Sequence, residues 1–417
     1  MKILFVCPYV PTVIRTRPYH FLNTLARRGH DLTLATLWET DWERSQLREL
    51  ESQGLTVLAS HLTRPRSAVN MLQAFLTGRP LQSRYCWVPA LTHQLRQAVQ
   101  TGAAPFQVAH VEHLRGAEYG LAVRRSATGE RRIPVVWDSV DCISLLFEQA
   151  IQHSTSRFGR WATRFDLPAT RRYEGWAVGQ FDQVLVTSNV DRAALDQLVQ
   201  AESGRPQPAP VGRLRPRPIR VLPNGVDLAH FKPPDSPREP ETVVLTGKMS
   251  YHANVTAAHQ LVGNIMPRVW AEYPNVKVNI VGTAPTPDVR ALAARNAPRV
   301  TVTGHVPDIR PYLQMATMAV APMAYGAGIQ NKVLEAMACG TPVIASPQAI
   351  AGLQVPVGES LLVAEGAQNS ATAILSFLRD EPLRASVGSR GRAYVSEHYN
   401  WWIVTDELES IYNGLIS

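Results

Sequence analysis

Two lysines and a glutamate stand where the surrounding sequence concentrates backbone freedom. Lys332 and Glu335 fall within residues 324–346, A-Y-G-A-G-I-Q-N-K-V-L-E-A-M-A-C-G-T-P-V-I-A-S. Their spacing of nearly one helical turn puts both side chains on one helix face. Gly326 and Gly328 make a side-chain-poor loop that a ligand can approach closely. Ile329, Gln330 and Asn331 lead from the loop into the helix, the last two as candidate caps. A helix N-terminus offers free N–H groups and about half a positive charge, which suits a phosphate. A lysine there suits a diphosphate, and a carboxylate suits a ribose. Lys248 follows Gly247 at the end of V-V-L-T-G-K-M, which reads as a buried strand. A lysine at the carboxyl end of a parallel strand points to the ligand crevice of an open α/β sheet. Any one of these elements has a purely structural reading. Their coincidence describes an anion clamp.

The elements that position these residues alternate. The apolar run 318–323 reads as a strand; Val333, Leu334, Met337 and Ala338 recur at helical spacing; Gly340 is a C-cap; and 342–346 is the next strand. The chain opens the same way, with strand 2–7, a Pro-rich loop 8–16, helix 17–28 ended by Gly29, and strand 31–36. Arg15 and Arg17 fall beside the carboxyl end of that first strand. Further strands are expected at 55–60, 108–113, 134–139 and 183–188, then at 219–223, 243–248, 276–281 and 300–303. Helices are expected at 254–273, 287–297, 308–315, 331–339, 367–379, 381–398 and 399–416. Glu112 and His113 end one first-half strand, and Asp138 and Asp141 end another, where they can reach a sugar. The pattern predicts two Rossmann-like doubly wound domains facing across a cleft. Residues 1–202 form the first domain, 203–218 a Pro/Arg-rich linker, and 219–398 the second domain. Residues 399–417 form a helix returning toward the first domain.

Composition narrows the function. With 417 residues and 45% hydrophobic content the chain has a substantial core. No apolar run reaches the roughly 18 residues of a membrane span, and the start does not read as a signal peptide. Cys7, Cys86, Cys142 and Cys339 show no paired spacing, which argues for a reducing, cytoplasmic setting with neither disulfides nor zinc. Residues 1–220 hold 28 Lys+Arg against 18 Asp+Glu, a net +10, whereas residues 221–417 hold 14 against 16, a net −2. A basic first half implies an anionic partner. No nucleic-acid motif accompanies it, which leaves an anionic membrane surface or a pyrophosphate-linked substrate. Within 156–178, Phe158, Trp161 and Phe165 share helical spacing, as do Arg157, Arg160 and Arg164. Such a helix either lies in a membrane interface or packs its aromatic stripe into the core.

These motifs together resemble the retaining glycosyltransferases of family 4, which have the two-domain architecture called GT-B. The matching pieces are N-G-V-D-x(3)-F from Asn224, the T-G-K strand end, I-V-G at Gly282, V-T-G-H-V at Gly304, K-V-L-E-A-M-A-C-G-T-P-V-I-A-S, and A-R-R-G-H-D-L-T at 26–33. G-I-Q-N-K-V-L-E-A-M-A looks like a subgroup found with bacterial exopolysaccharide and exosortase systems. The resemblance implies that a sugar moves from a nucleotide-diphosphate donor to a hydroxyl of a glycan or lipid-linked acceptor, with retention. It assigns Glu335 to the ribose and Lys248 to the diphosphate, with no cofactor or metal. The first glutamate of the family's E-x(7)-E motif falls at Ala327, and its second basic residue falls near Ala253, where Lys332 is a possible substitute. The Gly-Gly expected after strand one is replaced by V-P-T-V-I-R-T-R, and a familiar histidine by Val140 or Asp141. Rival readings are a sugar-nucleotide epimerase of the same architecture and a non-catalytic sugar-nucleotide-binding module.

Overall fold

Short apolar runs become parallel strands wherever a helix separates them, because a parallel neighbour can be reached only by a crossover. The computed structural model describes residues 1–101, 105–127, 132–153, 157–202, 217–326 and 329–416. Ala327, Gly328, most of the expected linker and Ser156 therefore lie outside the described residues.

The chain divides into two units. One comprises residues 1–151, 158–223 and 404–417, the other chiefly 224–403. The first holds β1 (Lys2–Cys7), β2 (Asp31–Trp38), β3 (Thr56–His61), β4 (Val108–Glu112), β5 (Val135–Val140), β6 (Gln183–Val186) and β7 (Arg220–Val221). The second holds β8 (Thr242–Thr246), β9 (Lys277–Val281), β10 (Val300–Val302), β11 (Met318–Ala321), β12 (Val343–Ala345) and β13 (Leu362–Val363). Their orders are β3-β2-β1-β4-β5-β6-β7 and β10-β9-β8-β11-β12-β13. Every pair of neighbours is parallel, with Phe5 between Leu34 and His110 in one sheet and Val243 between Val278 and Met318 in the other. Each sheet is thus doubly wound. The direction of winding reverses at β1/β4 and at β8/β11, and a ligand crevice opens at such a point. The central strands are buried on both faces, β8 entirely so, as expected where helices cover a parallel sheet.

Three boundaries differ from the sequence reading. The strand at Arg220–Val221 pairs with β6 and completes the first sheet, so the first unit runs to Pro223. The expected long helix at 254–273 is His252–His259, a π segment Gln260–Ile265, and then Met266–Trp270. Pro267 has no N–H to donate, so the regular i−4 ladder cannot pass through it. The two-residue β13 carries no periodicity to read. The last helix, Trp401–Ile416, belongs to the first unit from Val404 onward. There the Tyr412 hydroxyl meets His110 Nδ1 at 2.8 Å.

Candidate functional site

In the second unit, β8 and β11 end side by side. β8 ends at Thr246, and Gly247 and Lys248 follow it. Gly247 (φ 147°) and Gly282 (φ 151°) both take conformations that other residues avoid. A Cβ on Gly282 would lie 1.8 Å from the Gly247 carbonyl oxygen, so the ends of β8 and β9 approach only as glycines. Lys248 is exposed, and its ammonium has no partner among the described residues.

After β11 comes the glycine loop and then helix Asn331–Ala338. It buries Val333, Leu334, Ala336, Met337 and Ala338, the apolar face its spacing implied. Gln330 occupies the N-cap position, yet its side chain does not cap the helix. Its amide oxygen instead lies 3.4 Å from Lys332 Nζ. The expected Gln330 cap is thus corrected: no side-chain oxygen at that position takes a helix N–H.

Lys332 Nζ also donates to Asn254 Oδ1 at 2.6 Å, and Asn254 Nδ2 donates to the Lys248 carbonyl at 3.0 Å. One buried asparagine therefore ties both lysines together. It sits in the first turn of helix His252–His259, which Lys332 thus reaches from another helix. Burial lowers the Lys332 pKa to about 8, opposed by Glu335. Burial raises Glu335 to about 7, opposed by Lys332. The Glu335 carboxylate has no hydrogen-bond or ion-pair partner among the described residues. A partly buried carboxylate without donors is poorly solvated, and ligand hydroxyls would satisfy it.

Three contacts in this unit could not be read from the sequence. Asn224, of the N-G-V-D turn, donates to Asn331 Oδ1 at 3.2 Å and so braces the first residue of the helix. Gly225 packs against Trp401, where a Cβ would come within 2.7 Å of the indole. His252 stacks on Tyr325 of the glycine loop at 5.2 Å between ring centroids, with Nδ1 at 2.7 Å from the tyrosine oxygen. Burial lowers the pKa of this histidine, which favours the neutral ring.

In the first unit, the residues at the carboxyl edge of the sheet behave differently from one another. Arg17 is buried and donates to Asp138 at 2.7 Å and to the Pro223 carbonyl at 3.0 Å. Burial would raise the Asp138 pKa, but Arg17 and His110 outweigh it and hold the carboxyl at about 2. Asp138, expected to reach a sugar, and Arg17, expected beside the ligand edge of the first strand, instead form an internal ion pair. His113 is half-buried, and desolvation and Arg115 lower its pKa to about 3, so it is a neutral ring. Asp141 is raised to about 7 by burial and by Asp191, and it accepts from Thr187 at 3.3 Å.

Glu112 and Arg15 remain at the edge. Tyr9 donates to Glu112 Oε1 at 2.7 Å, while Oε2 has no partner among the described residues. Burial, reinforced by Asp138, raises the Glu112 pKa to about 8. Arg15 lies over the Tyr9 ring at 4.8 Å and pairs with Glu43 at 3.1 Å. β4 and β5 both end in left-handed residues other than glycine, His113 at φ 65° and Val140 at φ 68°. Such conformations cost about 1–3 kcal/mol each and cluster at functional edges. Among the described residues no group of three or more His, Cys, Asp or Glu has a metal-holding arrangement.

Known proteins share this architecture. The chain superposes on a sucrose-phosphate synthase from Thermosynechococcus elongatus with a TM-score of 0.68 at 19% identity, covering 100% of this chain and 99% of that one. It superposes on Anabaena HepE, solved in complex with UDP and glucose, with a TM-score of 0.66 at 16% identity, covering 99% and 100%. The fold is therefore the GT-B fold of glycosyltransferases. Residues 240–380 match the family described as glycosyl transferases group 1. A phosphatidyl-myo-inositol mannosyltransferase of Mycolicibacterium smegmatis is 29% identical over 199 residues, 46% of this chain and 50% of that protein. A lipopolysaccharide core biosynthesis mannosyltransferase, LpcC, of Rhizobium leguminosarum bv. viciae is 24% identical over 270 residues, 60% of this chain and 71% of that protein. The chain spans about half the length of the mycobacterial relatives it matches.

Proposed function

We propose that this protein transfers a sugar from a nucleotide-diphosphate donor to a hydroxyl acceptor, with retention at the anomeric carbon. The observation that carries the reading is the joining of Lys248 and Lys332 through Asn254 beside the N-terminus of helix Asn331–Ala338. When the bond from the anomeric carbon to the phosphate oxygen breaks, negative charge grows on the diphosphate. The held ammonium of Lys332, the exposed ammonium of Lys248 on a backbone tied to it, and an uncapped helix end stabilise that charge most strongly in the transition state. Glu335 takes the ribose hydroxyls. The acceptor oxygen bonds to the anomeric carbon on the face the phosphate leaves, and the departing phosphate takes the acceptor's proton. The lysines supply the charge a metal would otherwise bring, so activity is expected to persist in EDTA.

The acceptor is a glycan or lipid-linked glycan at the carboxyl edge of the first sheet, where Tyr9, Arg15 and Glu112 gather. The names of the relatives, which concern phosphatidylinositol and lipopolysaccharide core, support a role in glycolipid or polysaccharide assembly. We place that role in exopolysaccharide synthesis at the cytoplasmic face of a membrane; no helix among the described residues is long and apolar enough to cross one.

Incubation with UDP-, GDP- and ADP-sugars, with and without glycan and lipid acceptors, tests the proposal. An acceptor-dependent glycoside with the donor's anomeric configuration supports it. Donor isomerisation without acceptor identifies an epimerase. Ala327, in place of the first motif glutamate, favours a binding module; donor binding with no turnover on any acceptor would establish one.

A further inference from the structure

Helix Arg64–Leu76 of the first unit is amphipathic in the wrong sense. The residues it buries are Ser67, Asn70 and Ala74. Asn70 uses its amide on the carbonyls of Tyr85 at 3.2 Å and Trp87 at 2.8 Å. Its large apolar residues face outward: Leu72 is 59% exposed, Phe75 55% and Leu76 73%, with Val69 and Met71 also open. A surface helix normally shows the reverse.

This face continues onto a second helix. Phe75 stacks on Phe165 of helix Arg157–Val178 at 5.5 Å, and Phe165 on Trp161 at 6.2 Å. Phe165 is 53% exposed and Trp161 66%. Single exposed apolar residues are normal, but a contiguous aromatic and aliphatic strip marks a contact surface.

Among the described residues, the exposed charges of these two helices have one sign. Arg64 starts the helix four residues before Ala68 and eight before Leu72, so it ends the same stripe. Arg79 closes the other end, paired to Glu118 at 2.7 Å yet still 43% exposed. Arg164 adjoins Phe165 on the second helix. Neither Arg64 nor Arg164 has an ion-pair partner among the described residues. Helix Arg64–Leu76 carries no carboxylate, and those of the second helix, Asp166 and Glu174, are buried.

We propose that this strip docks the protein on an anionic lipid bilayer. Trp161, Phe165, Phe75, Leu72 and Leu76 enter the headgroup boundary, while Arg64 and Arg164 face lipid phosphates. Tryptophan and unpaired arginine beside aliphatic side chains suit that boundary, where one edge is apolar and the other wet and negative. The inference does not depend on the sugar-transfer reading, because none of these residues lies in the proposed donor or acceptor sites.

Sedimentation of the full chain with vesicles of phosphatidylglycerol and phosphatidylcholine, and of phosphatidylcholine alone, tests it. The protein is expected to partition onto the anionic vesicles and much less onto the neutral ones. Leu72→Ser with Phe75→Ser should lower anionic-vesicle partitioning by about tenfold or more. Arg64→Gln with Arg164→Gln should lower it by about fivefold per arginine. All four side chains are exposed, so unchanged melting temperatures will show that the variants fold. Wild-type protein that stays in solution with both vesicle types overturns the proposal, as does an apolar variant that binds like wild type. A wild-type dimer that the apolar variant dissociates, with no vesicle binding, would overturn it in favour of a protein interface.

Discussion

Replacing Lys332 with methionine isolates the charge of the clamp from its packing. The two side chains have similar length, and volume-conserving exchanges are tolerated best. Lys332 Nζ sits 2.6 Å from Asn254 Oδ1 and 3.6 Å from Met323 Sδ, so a thioether enters a place that already accommodates sulfur. Removing the ammonium leaves the buried Asn254 acceptor unpaired, which costs about 1–3 kcal/mol of stability. It also relieves the burial of a charge, which has lowered the lysine's pKa to about 8. The two effects oppose each other, so the fold should survive with a modest change in melting temperature. Catalysis has no such offset. Losing one preorganised donor to a developing charge costs about 2.7–4 kcal/mol, or roughly a hundredfold to a thousandfold in turnover. Steady-state kinetics with varied donor, combined with donor titration by calorimetry, separates the outcomes. Turnover should fall by that factor, while the donor dissociation constant changes by less than about tenfold. Unchanged turnover with a raised Michaelis constant would mean that Lys332 binds the ground state and transition state alike, and the charge argument would fail.

The same geometry makes further predictions. Lys332 is charged below about pH 8 and Glu335 ionised above about pH 7, so kcat/KM for the donor should peak between these values; Lys332→Met should remove the alkaline limb, and a flat profile in the wild type would contradict the assignment. Glu335→Ala should weaken nucleoside-diphosphate binding in calorimetry with little change in turnover at saturation; unchanged affinity would exclude a ribose contact. Asn254→Ala should lower turnover by roughly tenfold, the worth of about one positioning hydrogen bond, and kinetics equal to wild type would show that the bridge between the lysines is incidental. Arg17→Met leaves the buried Asp138 without its arginine and should destabilise the first unit by about 3–5 kcal/mol in denaturant unfolding; an unchanged midpoint would show that the pair is not structural.

Much of this was legible because it is local. An apolar run, a glycine loop and apolar residues at helical spacing specify β11, helix Asn331–Ala338 and β12 within some thirty residues. The alternation of such units specifies two doubly wound sheets. What could not be read depends on contacts across the sequence. Asn254 meets Lys332 from 78 residues away, and no period marks an asparagine that will accept from a lysine on another helix. The pairing of Arg17 with Asp138 spans 121 residues; a loop arginine beside a strand end looks ligand-facing until the fold turns it inward. His252 and Tyr325 come together only because β8 and β11 are neighbours. Helix Arg64–Leu76 was obscured for another reason. Its apolar residues have helical spacing, and spacing alone does not say which face meets water.

A crystal structure with a nucleotide-sugar donor bound tests the central claim most directly. The account requires the diphosphate to lie within hydrogen-bonding reach of both Lys248 and Lys332, against the first turn of helix Asn331–Ala338, with the ribose on Glu335. A donor held elsewhere, or a diphosphate touching neither ammonium group, would contradict it.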